Sequence, residues 1–292
     1  MATIKAAYYT IYEPEIWSSF VSVYFRQKLG ATKFFRDFTE DFADGGDRTS
    51  IPTVGDSFIA TAITVTTGDI STRVIQDTAV VLEIDSWYGD GRLVSDFQRA
   101  QIAAKYNTKA IYAEAMAERL ARKVDTDILA LGSSLDPVVG DSGTDVRVST
   151  IEEAMSIVDS YSLPHEDLLL FLHPTTYWTE LRKDSRMSNA SVFGIATTPY
   201  GEMPTLFGIP LFVTTQIPAG TASTEGGHRN LLVHKDAFVW GLGNIPGQDE
   251  QGARVQELPN ADGNLNTKIV SDIMYGVRLL SDKYGVRIIS NA

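Results

Sequence analysis

The stretch SDFQRAQIAAKYNTKAIYAEAMAERLARKVDTDILALG, residues 95–132, decides the fold of this chain. It opens with a capping box, in which Ser95 is followed three residues later by Gln98, and neither Pro nor Gly occurs again before Gly132. Small and apolar residues recur at helical steps of three and four: Tyr106, Ala110, Ala113, Ala117, Leu120, Val124, Ile128 and Leu131. The pattern predicts one amphipathic helix, with Gly132 in the left-handed conformation just past its end.

The length of this predicted helix has consequences for the shape of the molecule. At 1.5 Å per residue an unbroken helix would be roughly 54 Å long, whereas a compact globule of this size is only about 50 Å across. Asn107 or Thr108 could also act as a second cap and restart the helix. A continuous helix would make the molecule flat or elongated rather than spherical.

Composition limits the classes of function. The chain has 292 residues and a net charge of −12, and it contains no cysteine, so disulfides, thiol nucleophiles and thiolate metal sites are excluded. No basic run accompanies the acidic balance, which argues against sequence-specific nucleic-acid recognition. No signal peptide is visible at the N-terminus. The longest uncharged window, 203–224, contains three prolines and cannot form a membrane helix, so no membrane partner is expected.

The N-terminal region is rich in large aromatic residues. A short helix is predicted between Pro14 and Gly30, and its large residues, among them Trp17, Phe20 and Tyr24, cover more than half of its circumference. Such a helix needs cover on more than one side. Either it is buried in the core of its own chain, or it is an arm that lies on a neighbouring subunit.

Two hairpins are predicted. The first has strands at 58–65 and 74–84, rich in Val, Ile and Thr, around the turn signal Thr67, Gly68, Asp69, Ile70 and Ser71. The second has strands at 254–258 and 267–280, around the turn residues Pro259, Asn260, Asp262 and Gly263. A two-stranded ribbon is marginally stable by itself, so the first hairpin must lie on another surface.

The span 133–243 predicts a small α/β unit. A capping box at Thr150 predicts a helix to about 160, an unbroken apolar run predicts a doubly covered strand at 168–172, and Pro174 starts another helix to about 184. The remaining predicted strands are 209–214, 230–234, 237–242 and a final one at 284–289.

Signals for catalysis are missing. The four histidines, His165, His173, His228 and His234, have no zinc-site spacing. The chain also lacks a GxSxG elbow, a P-loop and a dinucleotide-binding loop. We therefore predict a protein that is not an enzyme and that has no catalytic residue, cofactor or metal ion.

The order of these segments resembles one known family. An aromatic arm, a long hairpin, a long helix, an α/β unit, a second hairpin and a returning strand, 281–289, follow one another as in the Hong Kong 97-type major capsid protein of tailed bacteriophages. Two local motifs, Leu172-His173-Pro174-Thr175-Thr176-Tyr177-Trp178 and Phe207-Gly208-Ile209-Pro210-Leu211, also resemble the family's strand-to-helix step and strand start. No single motif is specific, but their order is.

The resemblance implies an α+β fold with named parts. Residues 1–50 would be the N-terminal arm, 51–90 the extended hairpin (E-loop) and its flanks, and 91–132 the spine helix of the peripheral (P) domain. Residues 133–243 would be the axial (A) domain, 244–280 the P-domain strands and hairpin, and 281–292 the closing A-domain strand. The E-loop tip (67–71), Trp17, Phe20 and Tyr24 of the arm, and the 259–263 turn would contact neighbouring copies.

The resemblance also implies partners. The chain would assemble into pentamers and hexamers of an icosahedral virion shell, built in the cytoplasm of the host bacterium around double-stranded DNA that it holds without sequence specificity. It would work with a separate scaffolding protein, a portal and, in some relatives, a decoration protein. No lysine lies between Lys33 and Lys105, so a lysine crosslink from the E-loop is excluded. An encapsulin-like compartment shell and a soluble α/β enzyme are the alternatives.

Overall fold

The computed structural model describes residues 25, 28–53, 78–95, 108–184, 186, 205–220, 227–245, 252–259 and 266–291. The helices are α1 (Thr108–Ala130) and α2 (Val148–Ser160), with a π-helical turn at Thr176–Glu180. The 3-10 helices are Thr32–Phe34, Thr39–Phe42, Leu131–Ser134, His165–Asp167, Leu181–Lys183 and Asp282–Tyr284. The strands are β1 (Arg36–Asp37), β2 (Arg48–Thr53), β3 (Thr78–Glu83), β4 (Ser86–Ser95), β5 (Val138–Val139), β6 (Leu168–Leu172), β7 (Thr205–Leu206), β8 (Ile209–Val213), β9 (Arg229–His234), β10 (Phe238–Leu242), β11 (Arg254–Pro259), β12 (Asn266–Leu279) and β13 (Gly285–Ile289).

The first sheet is organised around β12. On one side β12 pairs with β11 and β10, and on the other it pairs antiparallel with β4 over ten residues, from Asn266↔Ser95 to Tyr275↔Ser86. The predicted second hairpin is confirmed by the β11–β12 pairing. Strand β4 was not predicted, since it contains Gly89 and Gly91, which weaken a strand pattern, and its partner lies about 180 residues further along the chain.

Helix α1 covers one face of this sheet. Met116, Leu120 and Val124 are buried with Ile273 and Tyr275 of β12. Side chains alternate along β12, so Ile269, Ile273 and Tyr275 are buried on the helix side, whereas Lys268 and Arg278 on the other face are exposed. The predicted helix is confirmed over Thr108–Ala130. The remainder of the predicted span, 96–107, lies outside the described residues.

Gly132 does not have the predicted left-handed conformation. It lies inside the 3-10 helix Leu131–Ser134 and is absent from the glycines with positive φ. The reason for glycine is a close approach instead: a Cβ at this position would lie 2.4 Å from Cδ2 of Leu231 on β9. The prediction of a left-handed cap at Gly132 was therefore wrong, although the helix ends where it was expected to end.

The second sheet is mixed and has the order β5-β13-β9-β6-β8-β7. Strand β6 is buried along its whole length, and the side chains of β9 are buried from Asn230 to His234. Helix α2 packs on one face, where Ile151 and Val158 join the cluster of Leu170 and Leu232. The predicted doubly covered strand is thus confirmed. Strand β10, which was predicted within the 133–243 unit, pairs instead with β12 of the first sheet, because the chain crosses between sheets after His234.

The start of α2 is fixed by residues distant in sequence. The helix begins at Val148, two residues before the predicted cap Thr150. Thr150 is the third residue of the helix, and its hydroxyl accepts a hydrogen bond from the Arg147 amide at 3.3 Å. The Asp184 carboxylate accepts the Val148 amide at 3.0 Å, and its pKa lies below the ordinary value because backbone and charge interactions outweigh the cost of burial. Thr150 therefore supports the helix start from within and is not its N-cap.

Candidate assembly surfaces

Most residues predicted to contact neighbouring copies lie outside the described residues. These are Trp17, Phe20 and Tyr24 of the arm, Thr67, Gly68, Asp69, Ile70 and Ser71 of the first hairpin, and Asn260, Asp262 and Gly263 of the second. Pro259 is described as the last residue of β11, opposite Thr267. For each of the three segments, however, the structure describes the part that joins it to the body.

The first hairpin is anchored on the first sheet by its base. Strands β2 and β3 pair antiparallel from Arg48↔Glu83 to Thr53↔Thr78, so β2 occupies a place that was not predicted as a strand. Leu82 and Ile51 are buried with Phe42 and Val239 in a small cluster. The other face of the ribbon is open, since Val81 is 36% exposed.

Close backbone packing fixes the ribbon at Gly276 of β12. A Cβ at this position would lie 2.0 Å from the carbonyl oxygen of Glu83. Only glycine allows the end of β3 to cross β12 at this distance, because real Cβ atoms do not approach a backbone oxygen so closely. The ribbon base is therefore held by both side-chain burial and backbone contact.

The N-terminal segment is attached to α1 by one carboxylate. Asp125, which is 5% exposed, accepts the amides of Gly30 and Thr32 at 2.9 Å each and also the Thr32 hydroxyl. Such charge-assisted hydrogen bonds are stronger than neutral ones. Lys28 adds an exposed ion pair to Glu114 at 2.9 Å. The segment from Lys28 to Thr32 is thus held at a defined point on the helix.

The face of the first sheet opposite α1 exposes large apolar side chains. Alternation places Trp87 and Leu93 of β4 and Leu258 of β11 on this face, where they are 66%, 54% and 45% exposed. The Trp87 indole donates to Asp272 at 2.9 Å, and Asp272 is also bound by both Nε and Nη2 of Arg254 at 2.9 and 2.7 Å. The exposed ring of Trp87 is therefore held in one orientation, as is typical of an interface anchor. We name Trp87, Leu93 and Leu258 the open face.

The covered face of the same sheet holds a half-buried polar network. Lys123 of α1 donates to Asp127 at 2.6 Å and lies 4.4 Å from the ring centre of Tyr88, and the Tyr275 hydroxyl donates to Asp127. Burial, and then the Asp127 carboxylate, raise the pKa of Tyr275. Burial opposes the charge of Lys123, but Asp127 and Tyr88 outweigh it and raise the pKa of Lys123. This network joins the helix to the sheet.

The described residues hold no group of three or more His, Asp or Glu side chains placed to bind a metal ion. His234 is buried between Asp236 and Asp167, at 3.7 and 3.8 Å, and burial lowers its pKa more than these carboxylates raise it. His173 and His228 stack on each other with ring centres 3.4 Å apart. These arrangements provide no nucleophile with an adjacent base.

Sequence reasoning missed the open face. A signal was present, since Trp87 and Leu93 are an even number of residues apart and the charged residues Asp90 and Arg92 lie at positions of the other parity. In a strand this spacing places the two apolar side chains on one face and the two charged ones on the other. The two glycines and the central aspartate concealed it.

No helix in the described part of the chain is long and apolar enough to span a membrane. No protein-family profile matches the sequence, and no curated relative matches it either.

Solved structures do match, over nearly the whole chain. A structure from Mycobacterium phage Che8 is 18% identical, with a TM-score of 0.68 over 89% of this chain and 90% of that chain. The capsid structure of Cyanophage P-SCSP1u is 16% identical, with a TM-score of 0.66 over 88% of this chain and 86% of that one. The holo-SrpI encapsulin complex from Synechococcus elongatus is 12% identical, with a TM-score of 0.59 over 88% and 85%.

The class follows from these matches: this chain has the α+β fold of bacteriophage capsid and encapsulin shells. The resemblance to the Hong Kong 97-type capsid fold, stated above from the order of sequence segments, is confirmed at the level of the fold.

Proposed function

We propose that this chain is a major capsid protein that assembles into pentamers and hexamers of an icosahedral shell around double-stranded DNA. The observation that carries the proposal is the match of 88–89% of the chain to two bacteriophage structures, so that no large part of it is left for another activity. The open face and the anchored segments supply surfaces that a shell subunit needs and that an isolated monomer does not.

The parts of the fold take the following roles in this proposal. Helix α1 is the spine helix of the P domain, β2 and β3 are the base of the E-loop, and the segment bound by Asp125 is the root of the N-terminal arm. The second sheet with α2 is the A domain. Its boundary is better placed between His234 and Phe238 than at 243, because β10 pairs with β12. The P domain then comprises β4, α1, β10, β11 and β12.

The partners in this proposal follow from assembly. Copies of the chain contact one another through the E-loop tip (67–71), the arm residues Trp17, Phe20 and Tyr24, and the turn 259–263. A separate scaffolding protein and a portal direct closure, a decoration protein is an additional partner, and the site of assembly is the cytoplasm of the host bacterium. The net charge of −12 suits a lining that does not hold DNA tightly.

The experiment is electron microscopy of the full chain, produced with and without the scaffolding protein of the same genome. We expect closed shells whose images resolve rings of five and six subunits. The shells should have a uniform diameter only when the scaffolding protein is present. A monodisperse monomer under both conditions, measured by light scattering, would contradict the proposal.

An encapsulin-like compartment is the second candidate, because an encapsulin complex shares the fold. The contents of purified shells distinguish the two. Packaged nucleic acid in particles from infected cells supports the capsid, whereas a co-purifying enzyme bound to the inner wall supports the compartment.

A further inference from the structure

Two histidines meet at one end of the second sheet. His173 directly follows β6 and His228 directly precedes β9, and the antiparallel pairing of these strands brings the two imidazoles together. Their ring centres are 3.4 Å apart and their planes are inclined by 19°. The Nδ1 atom of His228 is buried without a hydrogen-bond partner, while that of His173 contacts the Thr175 hydroxyl at 2.9 Å.

The residues around the pair join three segments through a polar network. The His173 amide donates to Asn230 at 2.8 Å, which connects the end of β6 to β9. The Thr176 hydroxyl donates to Ser290 at 3.0 Å, and the Ser290 hydroxyl also accepts the His228 amide at 3.0 Å. The π-helical turn, the start of β9 and the end of β13 are therefore tied together at the position of the two rings.

Among the residues that the structure describes, no carboxylate is bonded to either ring of the pair. From the π-helical turn Glu180 is bound to the Val146 amide at 2.7 Å, and from β13 Arg287 is bound to the Ser133 carbonyl at 2.9 Å. Arg229 adjoins His228 on β9, and Lys183 and Arg182 follow the turn. Neither imidazole has an ion pair or a hydrogen bond to a carboxylate within the described ranges. His234, at the opposite end of β9, differs because two carboxylates flank it.

We propose that the stacked His173–His228 pair is an acid-sensitive switch, which holds the three segments together when both rings are neutral and releases them when the rings are protonated. Two imidazolium ions at stacking distance repel each other, and no described carboxylate is bonded to either ring to offset this repulsion. The buried Nδ1 of His228, which has no partner in the closed arrangement, gains one from water when the segments separate.

The pKa shifts agree with this geometry. Burial, and then the charge of His228, lower the pKa of His173, and burial lowers that of His228. The closed form therefore binds protons less readily than an open form with the ordinary value of 6.5. The stability that the neutral pair contributes is fully present above pH 6.5 and is lost as the pH falls below that value.

The test uses the full unassembled chain labelled with 13C-histidine, whose four histidines give four resolvable signals. We expect the His173 and His228 signals to titrate below the ordinary value of 6.5. We also expect the hydrogen-exchange protection of the His173, His228 and Ser290 amides to fall about tenfold on acidification, at a pH where the amides of β6 stay protected. Titration at or above the ordinary value, or unchanged protection of these amides, would overturn the switch.

Two variants separate the charge from the packing. His228→Phe keeps an aromatic ring in the stack and cannot be protonated, so the drop in Tm between about pH 7.5 and about pH 5 should be smaller than in the unaltered chain, while the part due to His234 remains. The His173 signal should also move to a higher midpoint, because the second positive charge is gone. His165→Gln, at an exposed histidine that contacts Asp159 outside the pair, is the control and should not reduce the drop. An equal drop in His228→Phe and the unaltered chain would contradict the proposal. None of these measurements requires a shell, so their outcome is independent of the proposed function.

Discussion

The two sheets of this molecule differ in how far the chain covers them by itself. The second sheet has helix α2 on one face and the large core cluster on the other, and β6 is buried from end to end. The first sheet has α1 on one face, whereas the ribbon base covers only part of the opposite face and leaves Trp87, Leu93 and Leu258 exposed. The second sheet is thus covered within one copy, whereas the first carries an apolar surface that the described residues leave exposed. This contrast distinguishes a folding unit from an assembly unit.

The largest expected effect is on the doubly covered sheet. Leu170 of β6 is 1% exposed and lies between Leu211 and Leu232 in the strand pairings. Replacing Leu170 by Ala should lower the free energy of unfolding by about 3–5 kcal/mol, because it leaves a cavity in a packed core. Urea denaturation of the unassembled chain measures this. Leu93→Ala on the open face is the matched control, with an expected change below about 0.5 kcal/mol; equal losses in the two variants would contradict the comparison.

The attachment of the N-terminal segment gives the next effect. Asp125→Asn keeps the shape of the side chain but places an NH2 group against one of the donors, Gly30 or Thr32. We expect a loss of about 2–3 kcal/mol and faster hydrogen exchange at residues 30–35, since charged hydrogen bonds are lost and a donor stays buried. Glu114→Gln, which breaks only the exposed pair with Lys28, should change stability by less than about 0.5 kcal/mol. Unaltered exchange in Asp125→Asn would show that the segment is held elsewhere.

The crossing of the ribbon over β12 gives a third, smaller effect. Gly276→Ala should cost about 2 kcal/mol, because the added Cβ forces the end of β3 away from the sheet. Gly91→Ala on β4 is the control, since the nearest atom to its added Cβ would be 3.8 Å away. Limited proteolysis of the ribbon is a second measurement. If both alanine variants resist protease equally well, the ribbon is not anchored at Gly276.

The variant with the smallest expected effect on folding should have the largest effect on assembly. Trp87→Ala removes a side chain that is 66% exposed, so the free energy of unfolding should change by less than about 1 kcal/mol. Under the proposed function the same variant should greatly reduce the yield of shells in sedimentation. Trp178→Ala, at an exposed tryptophan next to the second sheet, tests whether the effect belongs to the open face. Normal shell yield from Trp87→Ala would remove the open face from the assembly interface.

Much of the fold could be predicted from the sequence where one short segment determines its own environment. The apolar run of β6, the second hairpin and the described part of α1 are of this kind. The sequence did not predict β4, because a half-exposed strand with two glycines becomes a strand only through pairing with β12. The predictions for Thr150 and Gly132 were wrong for a related reason. The residues that determine the local structure at these positions, Asp184 and Leu231, are distant in sequence. Of the candidate assembly surfaces, the sequence indicated the N-terminal arm and the two hairpins but not the open face.

The tether of Trp87 to Asp272 has a spectroscopic consequence. An indole ring that is held in water has a red-shifted emission and is readily quenched by acrylamide, and both properties change when a neighbouring molecule covers the ring. Trp240, only 5% exposed, offers little response to either change. With Trp17 and the 56% exposed Trp178 replaced by Phe, Trp87 becomes the optical reporter of the open face, and stopped-flow fluorescence can follow its burial in real time.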